Sequence, residues 1–170
     1  MSEFANAVNK AMLMLAEDQR TIFVGQSVAY DGAAIFHSLA GVPMSKRLEF
    51  PVCENLQIGY CTGLSLTGRL PICVFPRMDF MLLAMDALVN HLDKLPGFGW
   101  SPKVIIRCRV GQKQPLDAGP QHSQDHTDAF RRMLTTVEVM RVLNAEDVTR
   151  AYGQALHRPH SVLIVENPIG

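Results

Sequence analysis

The sequence of 170 residues has little of what marks secreted, membrane-bound or disulfide-stapled proteins. Its four cysteines, at positions 53, 61, 73 and 108, form no Cys-x-x-Cys pair, so we expect reduced thiols rather than a disulfide framework. No apolar run is long enough to span a membrane, and the N-terminus shows no basic-led apolar segment that would predict a signal peptide. These absences favour a cytoplasmic protein that does not bind membranes.

The chain also lacks an excess of charge of either sign. Sixteen Lys and Arg residues balance sixteen Asp and Glu residues, and no basic stripe stands out, so nucleic acid is not an expected partner. The apolar content of 48% is typical of a globular protein. We expect residues 1–170 to form a single domain, large enough to bury roughly 70% of its unfolded surface.

Short apolar runs alternate with helical patterns along the whole chain. The apolar runs predict strands over 21–24, 48–52, 70–75, 103–109, 137–142 and 161–165. Apolar residues at helical spacing predict helices over 2–15, 33–39, 54–67, 80–95 and 145–156. Repeated strand–helix–strand units predict the α/β class: three layers, with a mostly parallel sheet of about six strands and helices on both faces.

Three residues suited to ligand chemistry follow three of the predicted strands. Glu54 follows the strand over 48–52, Phe80 follows that over 70–75, and His122 ends the long irregular segment after the strand over 103–109. Ligands of parallel α/β sheets lie outside the carboxyl ends of the strands. The sequence therefore predicts that an acid, an aromatic ring and an imidazole meet at one edge, which is a composition typical of cofactor sites.

Each of these residues also has a purely structural interpretation. Glu54 could favour the dipole of the helix that it begins, Phe80 could be a core aromatic residue, and His122 could be a loop histidine bonded to backbone. His122 and His126 have the spacing of a helical metal-binding pair, but no third ligand is evident in the sequence, so no metal site is predicted.

Three motifs, in order, carry a resemblance to a known family. They span 51–71 (Glu54 with its following glycines), 79–90 (opening on Asp79-Phe80) and 118–124 (Ala-Gly-Pro-Gln-His-Ser-Gln). Together they resemble the pyrimidine-binding, transketolase central-type domain of thiamine diphosphate enzymes. Within that group they are most similar to the beta subunit of the first component of 2-oxo acid dehydrogenases.

The resemblance implies a role for each of the three residues. Glu54 would hydrogen-bond the far ring nitrogen of the cofactor and so activate it, Phe80 would stack on the aminopyrimidine, and His122 would face the reacting carbonyl. The implied reaction is decarboxylation of a 2-oxo acid with aldehyde or acyl transfer. Two alternatives stay open: transketolase-like transfer of a two-carbon unit from a ketose phosphate, and a non-catalytic assembly or regulatory partner of such an enzyme.

The chain lacks the Gly-Asp-Gly motif that marks the diphosphate-binding domain in this enzyme class. We therefore expect thiamine diphosphate to be shared with an alpha-type partner subunit that holds the diphosphate and Mg²⁺, within a homo- or hetero-oligomer. The diphosphate-binding domain and the C-terminal transketolase-type domain are expected to be absent from 1–170, and the chain to be inactive alone. Gln26 departs from the family pattern, because such subunits usually carry an acid there.

Overall fold

The computed structural model describes residues 2–113 and 117–168, and its centre is a six-stranded sheet. All strands are parallel, in the order β2-β1-β3-β4-β6-β5. They are β1 Thr21–Gly25, β2 Arg47–Glu49, β3 Leu70–Phe75, β4 Ile105–Arg109, β5 Glu138–Val142 and β6 Val162–Glu166. The predicted α/β class with a parallel sheet of six strands is confirmed.

Helices cover both faces of this sheet. The α-helices are α1 Glu3–Glu17, α2 Ala34–Ser38, α3 Glu54–Leu66, α4 Thr127–Met133 and α5 Ala145–His157. Short 3₁₀ helices occupy Met44–Lys46, Met78–Ala84 and Leu95–Phe98, and a π-helix occupies Asp86–Leu92. Within the described ranges, no helix combines the length and apolar character needed to cross a membrane.

Two hydrophobic cores lie on opposite faces of the sheet. Helices α1, α2 and α5 pack on one face, while α3, the π-helix and α4 pack on the other. All six residues of β3 are buried, because this strand lies inside the sheet and is covered on both faces. This explains why the strand is a continuous apolar run rather than an alternating one.

The regular helix predicted over 80–95 is wrong. The chain there forms a 3₁₀ helix and then a π-helix, and Leu82 is 47% exposed. The Asn55 side chain accepts a hydrogen bond of 2.9 Å from the Ala87 amide, which diverts that amide from the regular helical ladder. The bond of the Asp93 amide to the Leu88 carbonyl (3.0 Å) has the i→i−5 spacing of a π-turn.

One helix and one strand end also differ from the sequence prediction. Helix α4 was not predicted, because its seven residues include Asp128, Arg131 and Arg132 and show little apolar periodicity. Strand β2 ends at Glu49 rather than at residue 52, because Pro51 has no amide hydrogen to continue the ladder.

A buried carboxylate ties the end of the π-helix to the start of β5. Asp93 Oδ1 accepts hydrogen bonds from the amides of Thr135 (2.9 Å), Thr136 (2.8 Å) and Val137 (3.0 Å). Burial by itself would raise the pKa of Asp93, but hydrogen bonds from Lys94 and from these amides outweigh it and lower the pKa below the usual range. The ionised carboxylate therefore stabilises the folded protein.

We expect Asp93→Asn to destabilise the protein by roughly 2–3 kcal/mol at pH 7, because amides that now bond a charged acceptor lose it. Because the pKa of Asp93 is lower in the folded state than in the unfolded state, the carboxylate stabilises the folded protein at pH values above its unfolded pKa of about 3.9. This stabilisation is lost as the pH falls towards the folded-state pKa. The stability gap between wild type and variant should therefore narrow below about pH 4. Urea unfolding at pH 7 and pH 3 measures this, with the exposed Asp128→Asn as control. A gap that is independent of pH would contradict the assignment.

Candidate functional site

The carboxyl edge of the sheet contains a point where successive connections diverge. From β1 the chain crosses to β2 on one side, and after α3 it returns to β3 on the other side of β1. Ligand-binding crevices form at such switch points in open α/β sheets. The residues that leave these strand ends therefore define the candidate site.

Glu54 begins α3 beside this point and is only 5% exposed. Its Oε1 accepts a hydrogen bond of 3.1 Å from Nε2 of Gln26, the first residue after β1. Among the described residues, Oε2 has no hydrogen-bond partner. The residue that departs from the family pattern is thus the one that orients Glu54, and it does so through a neutral amide.

Close approach of β1 and β3 places Gln26 at this position. A Cβ on Gly25 would lie 2.4 Å from the Val74 carbonyl oxygen, so only glycine fits there without a backbone shift. The next loop is held by Glu49, whose carboxylate accepts hydrogen bonds from the amides of Ser27 (2.6 Å) and Ala29 (2.8 Å). Ser27 has a φ of 60°, a left-handed conformation that is uncommon outside glycine. This fixed loop was not predicted from the sequence.

Phe80 and His122 lie against each other at the next strand ends. Their ring centroids are 5.4 Å apart with an interplanar angle of 67°, an edge-to-face arrangement. Among the described residues, the buried Nδ1 of His122 has no hydrogen-bond partner. At this nitrogen the structure gives no support to the interpretation of His122 as a loop histidine bonded to backbone.

Asp79 couples the two loops that carry these rings. Its Oδ1 accepts hydrogen bonds from Nε2 of Gln124 (3.0 Å) and from the amide of Gln124 (3.3 Å). Phe80 follows Asp79 directly, and His122 precedes Gln124 by two residues. The carboxylate thus sets the position of the histidine loop relative to the phenylalanine.

Gly111 provides the second close backbone contact of the site. A Cβ there would lie 1.8 Å from the carbonyl oxygen of His122, so the chain after β4 passes directly against the histidine loop. In the sequence this glycine lies in the long irregular segment after the strand over 103–109, with no sign of the contact.

We expect Gly111→Ala to destabilise the protein by about 1–3 kcal/mol and to displace His122, because a methyl group cannot fit beside that carbonyl. Gly153→Ala is the matched control, since a Cβ at this position of α5 meets nothing within 4 Å. It should be neutral or stabilise by up to about 1 kcal/mol. Thermal unfolding measures both effects, and NMR chemical shifts of His122 report the displacement. Equal behaviour of the two variants would contradict the contact.

A cavity of about 570 Å³ opens beside the two rings at the ends of β3, β4 and β6. Phe80, His122 and Ser27 line it, while α2 and the first turn of α1 close its far side. Glu54 does not line the cavity, but it accepts a hydrogen bond from Gln26, the residue before Ser27. The structure therefore brings Phe80 and His122 into contact and places Glu54 at the neighbouring strand end.

A buried ionic cluster forms the floor of the cavity. Arg107 donates to both carboxylate oxygens of Glu166, at 2.7 and 3.2 Å, and Tyr152 donates to the same carboxylate at 2.8 Å. Burial acts to lower the pKa of Arg107, but Glu166 and Tyr152 outweigh it and raise the pKa. Sequence reasoning missed this cluster, although charges inside two buried strands were a visible signal.

No group of three or more His, Cys, Asp or Glu side chains that could hold a metal ion occurs within 2–113 and 117–168. His126 does not join His122 in a helical pair, because His126 precedes the first residue of α4 and His122 lies in the preceding loop. The spacing of four residues therefore does not place the two histidines on one face of a helix.

Comparison of sequences finds relatives that match nearly the whole chain. The chain is 28% identical over 171 residues to the pyruvate dehydrogenase E1 component subunit beta, mitochondrial, of Chaetomium thermophilum, with 96% of this chain and 44% of that protein covered. The subunits of the same name from Caenorhabditis elegans and Homo sapiens are 29% and 27% identical, over 96% of this chain and 48% and 47% of theirs. The chain thus spans less than half the length of these relatives.

Solved structures show the same fold at lower sequence identity. A split-gene transketolase, described as an inactive beta4 tetramer, superposes with a TM-score of 0.72 at 20% identity, covering 94% of this chain and 49% of that one. The transketolase of Campylobacter jejuni superposes with a TM-score of 0.76 at 13% identity, covering 95% of this chain and 25% of that one. The family model described as the transketolase pyrimidine binding domain matches residues 2–168. Because that match includes nearly the whole chain, the protein belongs to the transketolase pyrimidine-binding domain family.

Proposed function

We propose that this chain is the pyrimidine-binding subunit of a thiamine diphosphate-dependent enzyme that decarboxylates a 2-oxo acid and transfers the resulting aldehyde or acyl unit. The observation that carries the proposal is that Glu54, Phe80 and His122 all lie at the carboxyl edge of the sheet, with Phe80 and His122 in ring contact. The family match and the likeness to pyruvate dehydrogenase beta subunits support it.

The residues present fit the aminopyrimidine half of thiamine diphosphate. Glu54 is only 5% exposed, and its Oε2 accepts no hydrogen bond from the described residues, so a ligand can bond to this oxygen. Phe80 is half-buried beside the cavity, so a flat heteroaromatic ring can pack against it. The buried Nδ1 of His122, which has no partner in the described ranges, adds a polar group that a ligand can satisfy.

Thiamine diphosphate, when bound, supplies a nucleophilic carbon and stores the negative charge left after decarboxylation. The protein side of the chemistry is divided among its own residues. Glu54 holds a hydrogen bond to the pyrimidine and thereby sets the basicity of the ring's amino group, while Gln26 fixes the Glu54 rotamer. His122 faces the substrate and donates or accepts a proton at its carbonyl oxygen, and Asp79 positions the His122 loop through Gln124.

Helix α3 presents an exposed apolar face that suits a partner subunit. Leu56 and Tyr60 are 54% and 42% exposed, and a Cβ on Gly59 or Gly63 would meet nothing within 4 Å. Another chain can therefore approach the α3 backbone closely. We propose that an alpha-type subunit docks here, brings the diphosphate- and Mg²⁺-binding residues, and completes a site at the subunit boundary.

Calorimetry tests this division of the site. We expect the purified chain to bind thiamine diphosphate weakly or not at all with Mg²⁺ present, because charge-assisted contacts to the diphosphate supply much of the affinity. Adding the candidate alpha-type subunit should restore stoichiometric binding. Tight binding by the isolated monomer would overturn the shared site, and failure to bind in the assembled complex would overturn the cofactor proposal.

Transketolase-like transfer from a ketose phosphate is the second candidate. Arginine side chains on the cavity wall favour it, since guanidinium groups bind phosphate well. A coupled assay of the assembled enzyme with a 2-oxo acid and with a ketose phosphate separates the two reactions. If the cofactor binds but neither substrate is turned over, the result would favour the third alternative, in which this chain is a non-catalytic partner of the enzyme.

A further inference from the structure

The two oxygens of the Glu54 carboxyl group lie in different surroundings. Oε1 accepts a hydrogen bond of 3.1 Å from Nε2 of Gln26, whereas Oε2 accepts none from the part of the chain that the structure describes. The group is only 5% exposed, so water has little access to it. This asymmetry matters because a protonated carboxyl group is a donor at one oxygen and an acceptor at the other.

Gln26 is held in place because the backbone on both sides of it is fixed. Before it, Gly25 lies so close to β3 that no Cβ fits there. After it, Ser27 keeps a left-handed conformation while its amide donates to the Glu49 carboxylate at 2.6 Å. A conformation of this kind persists only where the surrounding structure determines it. A rigid segment therefore delivers the Gln26 side chain to Glu54.

Titratable groups on the elements that pack against α3 do not share this contact. Those elements are β1, β3, the 3₁₀ helix after β3 and the π-helix. Their titratable side chains have other partners among the described residues: Cys73 accepts from Gln57, Asp79 accepts from Gln124, and Asp86 pairs with His91. The surroundings of the Glu54 oxygens are therefore set by a neutral amide, which neither gains nor loses a proton near neutral pH.

We propose that Gln26 is a positioning residue that decides which oxygen of Glu54 carries the acidic proton. The oxygen that accepts from an N–H group acts as the carbonyl oxygen of the acid, so the proton lies on the other one. Donation to Oε1 thus assigns the proton to Oε2, the oxygen that no described residue uses. The inference rests on the proposed function for its ligand, the aminopyrimidine ring, and deepens it: activation needs one proton on Glu54 and no second titrating group.

The direction of this hydrogen bond is tested in the chain alone, without cofactor or turnover. NMR of the isotope-labelled chain follows the Nε2 protons of Gln26, whose signals are identified by their loss in Gln26→Met. We expect these protons to exchange with solvent about tenfold more slowly than those of the exposed Gln154, and Glu54→Ala to remove this protection. Equal exchange at Gln26 and Gln154 overturns the proposal, because Gln26 then does not donate.

The assignment of the proton is tested in the assembled enzyme by the pH dependence of proton exchange at the thiazolium carbon. Gln26→Glu introduces a carboxyl group that donates to Oε1 only while it is protonated, so two acids titrate as a coupled pair. We expect this variant to exchange about tenfold more slowly than wild type at about pH 8 and to approach wild type as the pH falls. Gln26→Met, which has no donor, should be slow at every pH.

Gln154→Glu is the matched control, since it makes the same chemical change on the exposed face of α5 and should follow wild type throughout. Unfolding midpoints show whether each variant folds, and Gln26→Glu keeps the test valid if Gln26→Met does not fold. A wild-type rate in Gln26→Glu at every pH, or a loss that is independent of pH, overturns the proposal. Failure of the assembled wild type to bind thiamine diphosphate refutes the proposed function alone, because the amide measurement needs no cofactor. Normal cofactor binding with unprotected Nε2 protons at Gln26 refutes the positioning role alone.

Discussion

Glu54→Gln is expected to slow proton exchange at the thiazolium carbon of bound thiamine diphosphate by roughly 10²–10⁴ in the assembled enzyme. In the proposed function, Glu54 donates the hydrogen bond that makes the cofactor's amino group basic, and an amide cannot provide an equally acidic donor. It is close in size to the carboxylic acid and keeps an oxygen that can accept from Gln26, so we expect little loss of stability. NMR exchange with deuterated solvent measures the rate.

The matched control is Glu146→Gln, the same chemical change in the first turn of α5. If Glu54 served only to favour the dipole of α3, both variants would lose a similar amount of stability, about 0.3–1 kcal/mol. Neither would then alter exchange. If the Glu54→Gln variant binds the cofactor and its thiazolium proton exchanges at the wild-type rate, the proposed activating role of Glu54 is wrong.

His122→Ala is expected to lower kcat by about 10²–10⁴ while changing thiamine diphosphate affinity far less. The physical reason is that, in the proposed function, the imidazole acts on the substrate carbonyl, whereas Phe80 and Glu54 hold the cofactor ring. Steady-state kinetics together with calorimetry on the assembled enzyme separates the two quantities.

Two further variants make the His122 result specific. His122→Phe keeps a ring against Phe80 but removes both nitrogens, so it should be as slow as His122→Ala. His157→Ala, at the exposed end of α5, should behave as wild type. Loss of cofactor binding with normal activity per bound site would show that His122 is structural.

The sequence predicted the sheet well because its signals were local. The six residues of β3 form an unbroken apolar run that is buried throughout, and strand–helix alternation allowed few other topologies. The irregular helix after β3 could not be predicted in the same way. Its π-turn depends on the Asn55 side chain, which lies 32 positions from Ala87 and whose contact leaves no trace in local periodicity.

For the candidate site, too, the sequence could predict features that depend on local patterns but not contacts between distant segments. Motif spacing placed Glu54, Phe80 and His122 at one edge, but it could not show that Phe80 and His122 touch while Glu54 lies apart from their cavity. Backbone atoms of other elements leave no space for a side chain at Gly25 and Gly111, and motif spacing alone does not reveal this. Their roles became visible only from the assembled sheet.

The hydrogen bond between Asn55 and Ala87 has a consequence for observing this protein at work. Asn55 is the residue directly after Glu54, so the Ala87 amide is tied to the first turn of α3 rather than to its own helix. Any ligand or subunit that shifts Glu54 will loosen or tighten that one bond. We therefore expect hydrogen–deuterium exchange at the Ala87 amide to report movements of Glu54 without a cofactor signal or an activity assay.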